Sequence, residues 1–73
     1  MDCIVKLVWD GEVKRWHTVT DDNLCLGLEA DTCDGLVEQV RLAAPEMLEL
    51  NCGYVGPINL TFEVERKEHI AVA

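Results

Sequence analysis

One stretch of this chain, residues 33–51, repeats its apolar side chains at helical spacing, and that single helix limits every fold open to it. Cys33, Leu36, Val37, Val40, Ala44, Met47 and Leu48 fall on one face. Thr32 suits the N-cap, or Asp31 does with Asp34 three residues on, and Asp34 also complements the positive end of the helix. Asn51 and Gly53 mark the stop. Pro45 lies inside the pattern, removes one backbone donor and is expected to kink the helix while the apolar stripe continues. One helix covers one face of a sheet, so any sheet here keeps its other face open.

The remaining apolar residues alternate. Residues 3–9 read as a strand with Cys3, Val5, Leu7 and Trp9 on one side and a mixed set, including Ile4, Lys6 and Val8, on the other. Asp10-Gly11 is a hairpin signal, with residues 10–14 as the turn. A second strand follows at 15–20, β-branched and aromatic, with Trp16 and Thr18 inward. Asp21-Asp22-Asn23 forms a loop through side chains that bond their own backbone. Residues 25–30 form a third strand, Leu26, Leu28 and Ala30 against Cys25, Gly27 and Glu29. After the helix, Tyr54–Pro57 is a loop. Residues 58–65 form a fourth strand, Ile58, Leu60, Phe62 and Val64 inward and Asn59, Thr61, Glu63 and Glu65 outward. Residues 66–73 belong to no predicted element.

The order β-β-β-α-β predicts an α+β, two-layer fold in one domain over 1–73. Two hairpin-type links make a meander, and the helical crossover returns the last strand parallel to the first, right-handed. The expected product is a four-stranded mixed sheet of order 3-2-1-4 with one helix on one face.

Charge narrows the function. The 6 Lys+Arg and 14 Asp+Glu of the 73 residues give a net charge of −8, while 49% hydrophobic residues keep the chain foldable. Phosphate binding needs a basic surface, so no direct contact with nucleic acid is expected, and a macromolecular partner should be basic. A core of this size supplies only ~3–5 kcal/mol, so a subunit partner, most simply a homodimer, is the expected support. The four cysteines form no CxxC pair, and Met1-Asp2 opens without a signal-peptide pattern. We therefore expect a cytoplasmic protein with free thiols. No apolar run approaches the ~20 residues that span a bilayer, so no membrane partner is expected.

No constellation for chemistry emerges. Asp10, Glu29, Asp31 and Asp34 fall in a turn, on an outward strand position and at a helix start, where capping and solvation account for them better than a shared metal does. His17 and His69 lack a nucleophile motif, and Gly53-Tyr-Val-Gly56-Pro57 lacks the lysine of a phosphate loop and precedes a strand. Trp9 and Trp16 read as core or interface anchors. The expectation is a protein that is not an enzyme and uses no cofactor or metal. Two surfaces stand out as interface candidates. One is the open sheet face, Ile4 and Val8 among Lys6, Glu29, Glu63 and Glu65; the other is Leu42, opposite the helix stripe. Asp21 and Asp22 add acidity for a basic partner.

Trp16-His-Thr-Val-Thr-Asp-Asp22, Gly27-Leu-Glu-Ala-Asp-Thr32 and Val40-Arg-Leu-Ala-Ala-Pro-Glu-Met-Leu-Glu-Leu-Asn51, followed by an alternating strand, resemble the short HicB-like proteins of bacteria. These are related to the antitoxins of HicA–HicB toxin–antitoxin pairs and include a stand-alone group named only as a domain of unknown function. The resemblance spans about residues 3–65. It implies a partial RNase H-like β-β-β-α-β fold without the RNase H active-site acids, and a binding module that neutralises a small basic RNA-cleaving toxin. The alternative is a stand-alone oligomerising domain without a toxin. Asn23-Leu24-Cys25 replaces the family's Ile-Pro-Gly-like turn. The helix-turn-helix or ribbon-helix-helix segment that follows in full-length HicB antitoxins has no counterpart here, so operator binding is not expected.

Overall fold

The computed structural model describes residues 1–21 and 24–72. Among them are four strands and one helix: β1 (Asp2–Asp10), β2 (Arg15–Val19), β3 (Glu29–Ala30), α1 (Cys33–Cys52) and β4 (Asn59–Glu65). The sheet order is β3-β2-β1-β4, with β1–β2 and β2–β3 antiparallel and β1–β4 parallel, as predicted. Cys3, Val5 and Leu7 of β1 and Trp16 of β2 pack against Leu36, Val40, Ala44 and Leu48 of the helix. Met47, Leu60 and Phe62 flank that core half-buried.

The helix closes as its sequence directs. Thr32 is the cap, its Oγ1 accepting from the Gly35 N–H at 3.0 Å. At the far end Gly53 takes the left-handed conformation, φ 66°, and donates to the Glu49 carbonyl at 2.9 Å, while Tyr54 N–H reaches Leu48 O at 3.2 Å. A residue with a Cβ is strained there, which is why the stop falls on glycine. The helix runs through Pro45 without interruption. Pro45 is exposed, so the carbonyl deprived of its donor, that of Arg41, lies on the water side.

Three local expectations need correction. The third strand spans two residues rather than 25–30. Its alternation is real, with Leu24, Leu26 and Ala30 buried and Cys25 and Gly27 exposed, but Cys25 has φ 47°, which breaks the extended ladder. The Thr18 hydroxyl takes over: it donates to Leu26 O at 2.9 Å and accepts from Leu28 N–H at 3.0 Å. Thr20 Oγ1 accepts from Leu26 N–H at 3.0 Å, and Asn51 Nδ2 donates to Leu24 O at 3.3 Å. Second, β2 ends at Val19 rather than at residue 20 and β4 begins at Asn59 rather than at residue 58. The β1–β2 turn lies at 11–14, inside the predicted 10–14, with a positive φ at Lys14 (54°) and Asp10 Oδ1 accepting from Glu12 N–H at 3.0 Å. Third, Val64 keeps inward parity yet is 60% exposed, since β4 runs past the helix that should cover it. Asp22 and Asn23 lie outside the described residues.

Candidate functional site

The helix occupies one side of the sheet, so even-numbered β1 residues and odd-numbered residues of β2, β3 and β4 form the open side. Strand register arranges them in rows. Ile4 is beside Thr61; Val19, Lys6 and Glu63 share a row; Glu29, His17, Val8 and Glu65 share the next; Asp10 faces Arg15. Ile4 (55% exposed), Val8 and Val19 stand around Lys6, and the carboxylates of Asp2, Glu29, Glu63 and Glu65 border the group. Apolar atoms ringed by charge on an uncovered sheet have the make-up of a protein-binding surface.

The basic groups near this face are largely engaged. Arg15 Nη1 lies 2.6 Å from Asp31 Oδ1, and its Nε is 3.6 Å from Glu29 Oε2, which ties the end of β2 to β3. Lys67 Nζ is 3.5 Å from Glu65 Oε1. Lys6 stands between Val19 and Glu63 in the register. The face is therefore acidic in balance, with Ile4, Val8 and Val19 set around the Lys6 side chain at its centre.

Ile4, Val8, Glu29, Glu63 and Glu65 thus share one surface, as their parity requires. The other candidates fall elsewhere. Asp21 is exposed, but its Oδ1 accepts from Leu24 N–H at 3.0 Å and its carbonyl from Cys25 N–H at 2.9 Å, so it shapes the turn. Asp22 lies outside the described residues. Leu42 sits on the other layer, 74% exposed, at a groove of about 360 Å³ between α1 and the loop after it. Pro45, Glu46, Glu49, Tyr54 and Val55 line that groove with it. Tyr54 Oη donates to Pro57 O at 2.6 Å, and a Cβ at Gly56 would stand 3.0 Å from that hydroxyl, so the loop wall admits only glycine there.

Two features had no counterpart in the sequence reading. Val19 adds an apolar residue beside Lys6 on the open face, a position not singled out in the sequence although the inward parity of Trp16 and Thr18 puts it there. Trp9 and Trp16 form a tilted pair, 5.4 Å between ring centres, and Arg66 lies over the Trp9 ring at 4.5 Å. A cation capping aromatic rings at a core's open end is a favourable arrangement, but nothing in the local pattern of Arg66 announces it.

Among the described residues no group of three or more His, Cys, Asp or Glu side chains is disposed to hold a metal ion. No described helix is long and apolar enough to cross a membrane. Cys3 is buried, Cys33 half-buried, and Cys25 and Cys52 exposed, each as a free thiol. Burial, followed by the nearby charge of Asp21, pushes the Cys3 thiol up from its ordinary value of 9.0, so it stays protonated and unreactive.

A family model described as a domain of unknown function, DUF1902, matches residues 2–73. The crystal structure of hypothetical protein TTHA1013 from the extreme thermophile Thermus thermophilus is similar to this chain, with a TM-score of 0.78 and 31% identity, over 96% of this chain and 100% of that one. No curated protein matches in sequence. Neither description names a reaction.

Proposed function

Because the chain belongs to the DUF1902 family, whose description assigns no activity, we propose its function from its surface: a cytosolic, non-enzymatic binding module that takes a basic protein partner on the open face of its sheet. The observation that carries this reading is the set of Ile4, Val8 and Val19 around Lys6, bordered by Glu29, Glu63 and Glu65, on the face the helix cannot cover. The apolar side chains offer contact area, and the carboxylates, with a chain charge of −8, attract and orient a cationic surface. The residue patterns that resemble HicB-like proteins support a finer version, in which the partner is a small basic RNA-cleaving toxin whose positive surface this face covers in place of RNA.

The test is capture of partners on the tagged chain from its native cell, followed by titration of the recovered protein at low and high salt. A small basic protein whose affinity weakens as salt shortens the screening length toward ~3 Å supports the proposal. An acidic partner, or an affinity indifferent to salt, overturns it. The HicB-like version further requires that the captured protein cleave RNA and that the chain stop it.

A further inference from the structure

Residues 66–72 follow β4 without entering the body of the fold. None belongs to a helix or strand and all are exposed, Ile70 at 78% and Val72 at 91%. The molecule measures 54 Å along one axis and 18 Å along the other two. A 20-residue helix or a nine-residue strand spans only about 30 Å. The rest of that length is this segment standing clear, which also lifts the radius of gyration to 14.0 Å, against about 11 Å for a compact domain of this size. Its root is fixed: Arg66 lies over Trp9 and pairs with Glu68 at 2.8 Å.

Beyond that root the segment repeats the alternation of β4. Ile70 and Val72 share the parity of Leu60, Phe62 and Val64, while Lys67 and His69 share that of Glu63 and Glu65. Meanwhile β4 is an edge strand: among the described residues it pairs with β1 alone. Its inner side is thinly covered, from half-buried Leu60 and Phe62 to exposed Val64. An open edge of this kind accepts another strand. The segment cannot fold back onto its own β4, because Arg66-Lys67-Glu68 holds none of the residues that make a tight turn.

We propose that residues 66–72 of one copy pair antiparallel with the outer edge of β4 in a second copy, and reciprocally, about a two-fold axis perpendicular to the sheet near Arg66. With the axis at Arg66, residues 67–72 of one copy meet residues 60–65 of the other. Opposed residues in an antiparallel pair face the same side. Ile70 therefore lands opposite Phe62 and Val72 opposite Leu60 of the second copy, on the side its helix covers thinly. Lys67 and His69 land beside its Glu63 and Glu65. The result is one continuous sheet of two chains with both helices on the same side, and the open face remains available to the basic partner.

Sedimentation equilibrium of the full chain at micromolar concentration should give twice 8.2 kDa, and Ile70→Asp combined with Val72→Asp should return it to 8.2 kDa with the same far-UV spectrum, since both side chains stand in solvent in the single chain. Lys67→Glu should weaken dimerisation several-fold. Hydrogen exchange on the unaltered chain gives a readout free of variants: β4 amides directed away from β1 should gain protection as concentration rises through the dimerisation range. A monomer at micromolar concentration, a dimer that survives the double substitution, or β4 amides that exchange equally at all concentrations would each overturn the proposal. None of these readouts involves the basic partner, so they leave the function of the open face to its own test.

Discussion

Thr18 shows how much of this fold rests on one hydroxyl. It is buried, donates to Leu26 O and accepts from Leu28 N–H, and so does the work of two ladder bonds where the backbone cannot. Thr18→Val keeps the shape and leaves both backbone groups without that partner, each at ~1–3 kcal/mol. We expect a loss of at least about 2 kcal/mol in urea unfolding, with Thr18→Ser restoring most of it. A Thr18→Val loss near zero would contradict that assignment. Cys3 supplies a second test at this scale. Its folded thiol pKa is raised, chiefly by burial, so the fold favours the neutral form. That contribution to stability is complete below about pH 9, where an unfolded thiol is still protonated, and is lost as pH rises through the raised folded value. Alkylation should correspondingly label Cys25 and Cys52 quickly at neutral pH and reach Cys3 only on unfolding. Rapid labelling of Cys3 in folded protein would contradict its burial. The inward set Cys3, Val5, Leu7 and Trp16 was legible from parity alone, because side chains on a strand alternate without exception once the strand exists. The role of Thr18 was not, since no local pattern tells a threonine that packs from one that replaces a strand's hydrogen bonds.

Among elements, the helix was the most legible and the third strand the least. The helix carries its stripe, cap and stop in contiguous sequence, and each is satisfied within it or by the residue beside it. Segment 24–30 alternates like a strand, but only Glu29–Ala30 pair with β2 as a strand, and the side chains of Thr18, Thr20 and Asn51, elsewhere in the chain, supply many of its other hydrogen bonds. Pro45 separates local from tertiary stability. A proline in a helix interior costs roughly 3 kcal/mol through its missing donor and ring clash, partly offset by about 0.4–1 kcal/mol of restricted unfolded chain. The packing of Leu36, Val40, Ala44 and Leu48 holds the helix together across it. Pro45→Ala should therefore raise stability by about 2–2.6 kcal/mol, read by thermal melts; an unchanged melting temperature would mean that the helix has already absorbed the proline without cost. Gly53→Ala should go the other way by about 1 kcal/mol, because Gly53 holds a left-handed φ.

At the scale of the whole molecule, one helix and four strands leave three surfaces unequally finished: the covered core, the open face and the edge of β4. The open face was legible because parity alone places Ile4, Val8, Glu29, Glu63 and Glu65 on it. Leu42 separated from them because it belongs to the opposite layer, and the register of β1 and β2 was needed to put Val19 beside Lys6. The central claim is that the acid-ringed open face binds a basic protein. Its most direct test replaces Glu29, Glu63 and Glu65 with Gln, which removes charge while keeping size, and compares affinity for the captured partner by calorimetry at low and high salt. We expect about tenfold weaker binding at low salt, or ~1.4 kcal/mol, with the two proteins converging as salt screens the charges; equal affinity for both at low salt would rule out binding through these carboxylates.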